Sequence, residues 1–159
     1  MLSSPNLIIE GSHPYGEERM WDLAMWLCNN LLPDIGYEIV VTFRNFDVEE
    51  DGHAQGFHLT FDRDSHEVTI DNQLDLQDAM VALVHEFIHI QQYMNGLLKE
   101  DKADMYWRGK FIPDSTPYFD RPWEKHARRN ENKVYKQYLR TLARSVSYTH
   151  LTLPTICSV

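Results

Sequence analysis

The run Val81-Ala82-Leu83-Val84-His85-Glu86-Phe87-Ile88-His89-Ile90 decides how this chain is read. It holds the pattern H-E-x-x-H between apolar flanks. Residues 75 to 95 read as a helix, with Asp75 as the N-cap and Gly96 as the C′ stop. Four residues make just over one turn, so His85 and His89 project from one face, one above the other. Two neutral imidazoles placed this way suit adjacent corners of a tetrahedral Zn²⁺ site. Glu86 sits one step round the helix. From there it can take a proton from a water on such an ion, as a general base, without being a ligand. Histidine and glutamate in so apolar a stretch are costly to bury unless something pairs them, and a metal ion does so.

The third ligand must come from elsewhere. Gln92 and Asn95 stand where a metzincin pattern needs Gly and His, which excludes that class. The better source is Phe119-Asp-Arg-Pro-Trp-Glu124-Lys-His-Ala127. A helix is expected to open near Pro122 and run to about Arg144, with Trp123, Ala127, Val134, Tyr138 and Leu142 on its buried face. Glu124 lies at the edge of that face. The small Ala127 would let the two helices approach closely, and an inward carboxylate needs a partner that Zn²⁺ would supply. His126 is the rival ligand, but it points to the far side and is expected at the surface or cleft rim.

Upstream, residues 16 to 32 read as a helix with Glu17 and Glu18 in its first turn. Residues 37 to 43 read as a strand. Phe57, Leu59 and Phe61, then Val68 and Ile70, alternate with polar residues around Arg63-Asp64-Ser65 as a hairpin. Trp21 and Trp26 are expected in the core. His58 and His66 are expected on the hairpin's solvent face. His13 and His53 lie in loop sequence and are given no role. The fold class is α+β, with a small, mostly antiparallel sheet packed on the H-E-x-x-H helix and on the later helix that carries the third ligand.

The chain has 159 residues, which fits one domain, expected over 1–145. The last fourteen residues, 146–159, carry no charge after a helix rich in Lys and Arg, and they resemble translated sequencing-adapter DNA. They are expected to be a non-native tail, which removes His150 and Cys157 from the functional reading. With 15 Lys and Arg against 24 Asp and Glu, the net charge is −9. So acidic a chain lacks the basic footprint of a nucleic-acid or anionic-membrane binder. No run approaches the ~18 apolar residues of a membrane span. Met1 to Pro14 has no secretory pattern, and two cysteines make no disulfide framework. A cytoplasmic setting is expected.

His85-Glu86-x-x-His89 followed by a glutamate on a later helix resembles the gluzincin branch of the zincin metallopeptidases. The compact size is similar to the minigluzincin-like members, many of them microbial or phage-encoded. The stretch from Val40 to Tyr138 carries the resemblance. A second relative is the ImmA/IrrE-like group of regulatory peptidases, although no helix-turn-helix module is visible. Thermolysin-type gluzincins have Asp four residues after the ligand glutamate, where this chain has Arg128. The resemblance implies a zincin-like fold and a zinc-dependent hydrolysis of peptide bonds in a peptide or protein substrate. The metal ligands would be His85, His89 and Glu124, with Glu86 as base and Tyr93, Tyr118 or His126 as oxyanion donor. It also implies a substrate laid along an edge strand, drawn from 57–61 or 66–71. Two alternatives stand beside it: a zinc-braced, non-catalytic interaction domain, and a metal-dependent hydrolase of a non-peptide bond.

Overall fold

A computed structural model describes residues 6–14, 16–52 and 54–157, with side chains described as far as Ser145. The chain is α+β. It opens with a strand that sequence reading does not find, β1 (Asn6–Glu10), followed by α1 (Glu17–Asn30) and β2 (Glu38–Arg44). These form a β-α-β unit in which β1 lies parallel to β2, a pairing that needs the crossover α1 provides. After a single helical turn, α2 (Val48–Asp51), come β3 (Gly56–Asp62) and β4 (Ser65–Asp71). β4 runs parallel to β2, and β3 pairs antiparallel with β4. The sheet order is β1-β2-β4-β3, so β3 is a free edge and β4 is interior.

This corrects the expectation of a mostly antiparallel main sheet, because two of its three pairings are parallel. The miss has a physical cause. Asn6-Leu-Ile-Ile-Glu10 has no hairpin partner nearby, and its pairing is long-range. Trp21 is also corrected: it is 46% exposed on α1, whereas Trp26 packs edge-on against Tyr138.

α3 (Leu76–Met94) is the central element. The Asp75 carboxylate accepts from Asp78 N at 2.8 Å and caps its start. At its end, Gly96 N donates to Tyr93 O and Leu97 N to Gln92 O, the paired bonds of a Schellman stop, with Gly96 at φ +72°. α3 packs on the sheet through Leu83 and Phe87, which meet Ile39, Val41, Val68 and Ile70 in one core. Its other side receives α4 (Pro122–Cys157) through Trp123, Ala127, Val134 and Tyr138, the face expected from sequence. Tyr138 also donates to the Asp22 carboxylate at 2.6 Å and ties α4 to α1. The helix continues beyond the expected end near Arg144, for no proline or glycine stands between Arg144 and Leu153.

The hairpin is inverted relative to expectation. His58 pairs with Val68, and Thr60 with His66, so His58 and Thr60 share the inner face with the core. Phe57, Leu59 and Phe61 face outward, at 36%, 58% and 69% exposure. Alternation alone gives two opposite faces and does not say which one is inside. The tight turn at Arg63-Asp64 fixes the register and thereby the choice. His66 is buried and His58 half-buried, so neither is the solvent-face residue expected. Buried His13 is hydrogen-bonded to Leu74 O at 2.7 Å, and His53 lies outside the described residues.

Between α3 and α4 the chain forms a three-stranded antiparallel meander, β5 (Leu98–Asp101), β6 (Asp104–Trp107) and β7 (Lys110–Ile112). Both turns take two residues at positive φ: Lys102 and Ala103, then Arg108 and Gly109. Such turns favour Asn-Gly, and a Cβ in this region costs about 1 kcal/mol. Ala103→Gly is therefore expected to stabilise the protein by about 1 kcal/mol, read as a rise of roughly 2–4 °C in Tm. An unchanged or lower Tm would contradict the turn geometry.

Candidate metal centre

α3 and the first turn of α4 bring three donors together. His85 Nε2 and His89 Nε2 lie 3.1 Å apart. Glu124 spans them, with Oε2 at 3.2 Å from His85 Nε2 and Oε1 at 3.1 Å from His89 Nε2. One donor atom from each residue falls within 4.8 Å of the others. Ligands of a tetrahedral ion bound at ~2.0–2.1 Å stand roughly 3.3 Å apart, so the triangle is slightly contracted but of the right size. His89 and Glu124 are buried, at 6% and 5% exposure. Two imidazole nitrogens with converging lone pairs repel one another unless a proton or a cation stands between them. The cluster is compatible with a bound metal ion.

The outer bonds orient both rings. His85 Nδ1 is 2.7 Å from Glu131 Oε2, and His89 Nδ1 is 2.9 Å from Gln92 Oε1. A carboxylate and an amide oxygen only accept here, so both Nδ1 atoms carry hydrogen and both Nε2 atoms turn to the centre. Gln92 is fully buried, and its amide nitrogen donates to Trp123 O at 3.0 Å and to His126 Nδ1 at 2.9 Å. That one side chain links His89, His126 and the start of α4. Sequence reading missed Glu131 and this use of Gln92. The signals were present: Glu131 lies two turns after Glu124, and Gln92 nearly one turn after His89. Arg128, one turn after Glu124, instead donates to Phe119 O at 2.7 Å.

Electrostatics follow from these contacts. Burial works against charge on His85, but hydrogen bonds to Glu124 and Glu131 overcome it and push His85 up to about 10. Burial works to raise Glu124, yet its contacts with His85 and His89 hold it well below the usual carboxylate range. The opposed shifts of His85 and Glu124 express the same close contact between them.

Glu86 is buried at 7% exposure, and that burial pushes its carboxyl up despite the two nearby histidines. It lines a cavity of about 530 Å³ together with His85, and a smaller one of about 200 Å³ together with His89 and Glu124. Gly56 in β3 leaves space beside Glu86 and Ile70. A Cβ at residue 56 would lie 3.3 Å from Glu86 Oε1 and 2.9 Å from Ile70 Cδ1.

The three candidate oxyanion donors separate. Tyr118 lines both cavities, and burial followed by the charge of Glu124 raises its hydroxyl pKa. Tyr93 lines the smaller cavity, set against the rings of His58 and His66. His126 is half-buried, bonded to Gln92 and tilted against Trp107 at 5.5 Å, and lines neither cavity. His58 was missed. It lines the smaller cavity beside the His89 ring, at 6.3 Å between centroids. Its tautomer is determined. Arg63 O accepts from His66 Nε2 at 2.7 Å, so the neutral His66 must accept at Nδ1 from His58 Nε2, at 2.9 Å.

Compared with known proteins, the chain matches no family model, no curated sequence and no solved structure. Among the described residues no helix is long and apolar enough to cross a membrane.

Metal uptake must displace a proton from His85. His85 is charged below about 10, so metal affinity is expected to rise with pH across 6 to 9, by up to about tenfold per unit, as one proton is released. Calorimetry in buffers of differing ionisation enthalpy checks this. A pH-independent affinity would contradict it.

Proposed function

We propose that this chain is a zinc-dependent metallopeptidase of gluzincin type, with His85, His89 and Glu124 as ligands and Glu86 as general base. One observation carries the reading. Three nitrogen and oxygen donors converge to 3.1–3.2 Å, beside an open cavity and next to a buried carboxylate that is not among the converging atoms. A three-donor set with room for water suits catalysis, whereas structural zinc sites close with four protein ligands. Glu86 in the cavity wall and the absence of thiolates from the cluster speak against the braced interaction domain.

Zinc, when bound, supplies a Lewis acid that lowers the pKa of water to about 7 and polarises a carbonyl. Glu86 then takes the proton of the attacking water and later delivers it to the leaving amine. Its burial raises the carboxyl and so strengthens it as the base that takes the water's proton. Glu131 and Gln92 keep the two imidazoles turned inward. Tyr118 is the favoured oxyanion donor, since it alone of the three lines both cavities beside Glu86. The sheet order selects between the two strands considered for substrate. β4 is interior, so an extended peptide would add to the free edge of β3. Gly56, Phe57 and His58 of that strand line the smaller cavity.

Glu86→Gln is expected to keep one zinc per chain and lose about 100-fold or more of a chelator-sensitive peptidase activity, measured by metal analysis and peptide cleavage on the same samples. Wild-type cleavage by Glu86→Gln would contradict the mechanism. Glu124→Ala is expected to weaken zinc binding, and unchanged affinity would remove it from the ligand set. Gly56→Ala is expected to lower kcat with zinc retained, because its Cβ presses on Glu86. Undiminished kcat would show that Glu86 needs no such space.

A further inference from the structure

A separate recess, sharing no lining residue with the two cavities of the metal centre, has the opposite charge to the rest of the chain. The start of α4 and the β6–β7 turn enclose about 230 Å³, lined by Trp107, Arg108, Pro122, Lys125, His126 and Arg129. Three of these six are cations and none is a carboxylate, in a chain of net charge −9. Arg108 lies beside the Trp107 ring, with its guanidinium carbon 5.7 Å from the centroid. Among the described residues neither Arg108 nor Arg129 has a carboxylate partner. Lys125 meets Asp120 only loosely, at 3.7 Å, with both side chains more than half exposed. Pro122 begins α4, so the positive end of the helix dipole adds the same sign.

The uncharged wall is fixed as well. Gln92 Nε2 donates to Trp123 O at 3.0 Å and to His126 Nδ1 at 2.9 Å. His126 Nδ1 therefore carries no hydrogen, and the single N–H of the ring is at Nε2. That N–H has no protein partner among the described residues, on a side chain that lines the recess. We propose that this recess binds a phosphate group, either free or as the monoester of a small soluble molecule. Two guanidiniums, an ammonium and an imidazole N–H offer only donors, which suits a group whose oxygens only accept. A dianion answers more of the three positive charges than a lone carboxylate does, and arginine forks match phosphate oxygens in pairs. A long polyanion would meet the acidic remainder of the surface, so a small ligand is the fitting occupant. The site goes beyond the peptidase reading and does not depend on it.

The test uses the full chain as purified, at low ionic strength and about pH 8, where phosphate is a dianion. Calorimetry compares inorganic phosphate, phenyl phosphate and acetate. Phosphate is expected to bind with a Kd of about 1 mM or tighter, and acetate about tenfold or more weakly than phosphate. Arg108→Gln and Arg129→Gln are each expected to weaken phosphate binding about tenfold. Arg140→Gln, an exposed cation of α4 outside the recess, is expected to change it less than about twofold. Phenyl phosphate binding more tightly than phosphate assigns an ester whose organic part lies on Trp107, and equal or weaker binding assigns free phosphate. Phosphate held instead by a metal ion at His85, His89 and Glu124 would bind the Arg108→Gln/Arg129→Gln double variant as tightly as the parent chain, and that result overturns the assignment. So would no phosphate binding, acetate affinity equal to that of phosphate, or an Arg140→Gln effect as large as that of Arg108→Gln. Phosphate binding lost in the double variant, in a chain that cleaves no peptide, contradicts the peptidase reading and leaves this site standing.

Discussion

Three donor groups that repel or strand one another when bare are forced to a common point by two packed helices. Two Nε2 atoms face each other at 3.1 Å, with a buried carboxylate across both. That arrangement needs positive charge at its centre. A single proton can provide it in the metal-free chain, at the cost of raising His85 far from its ordinary value. A divalent ion provides it with a geometry that fits all three donors. The rest of the molecule serves to hold this convergence. Ala127 brings α4 close to α3, Pro122 starts α4 so that Glu124 falls in its first turn, and Gln92 ties the two helices below the ligands.

The sheet contributes through its edge. β3 places its aromatic residues outward and its polar ones inward, which is poor design for a core and sensible design for a cleft. His58 lines the smaller cavity from the inner face, and a Cβ at Gly56 would press on both Ile70 and Glu86. Apolar exposure at Leu59 and Phe61 is the consequence. Several features that look like local errors in β3 are thus explained together by its position beside Glu86 and His89.

Much of this was legible in the sequence, and the limits have physical causes. H-E-x-x-H on an apolar helix carries its own geometry, because an i, i+4 spacing fixes two side chains relative to each other whatever the fold. Glu124 was within reach because the spacing of Trp123, Ala127, Val134 and Tyr138 marked the buried face. Long-range pairings were not legible: nothing local says that Asn6–Glu10 lies parallel to β2. Nor does alternation reveal which side of β3 is inside, and so His58 was assigned to the wrong face, whereas His66 shares the face of Val68 and Ile70, where alternation along β4 already placed it. The meander was not legible, because its turns use Lys-Ala and Arg-Gly rather than Asn-Gly. Glu131 was overlooked because a carboxylate two turns along an exposed helix looks like ordinary surface until its partner is known.

The most direct measurement of the central claim is X-ray absorption at the zinc edge on the zinc-loaded chain. The account requires one zinc per chain with about four nitrogen or oxygen neighbours at roughly 2.0–2.1 Å, no sulfur, and outer-shell scattering from two imidazoles. Substoichiometric zinc, a six-oxygen shell without imidazole scattering, or a sulfur ligand would contradict it.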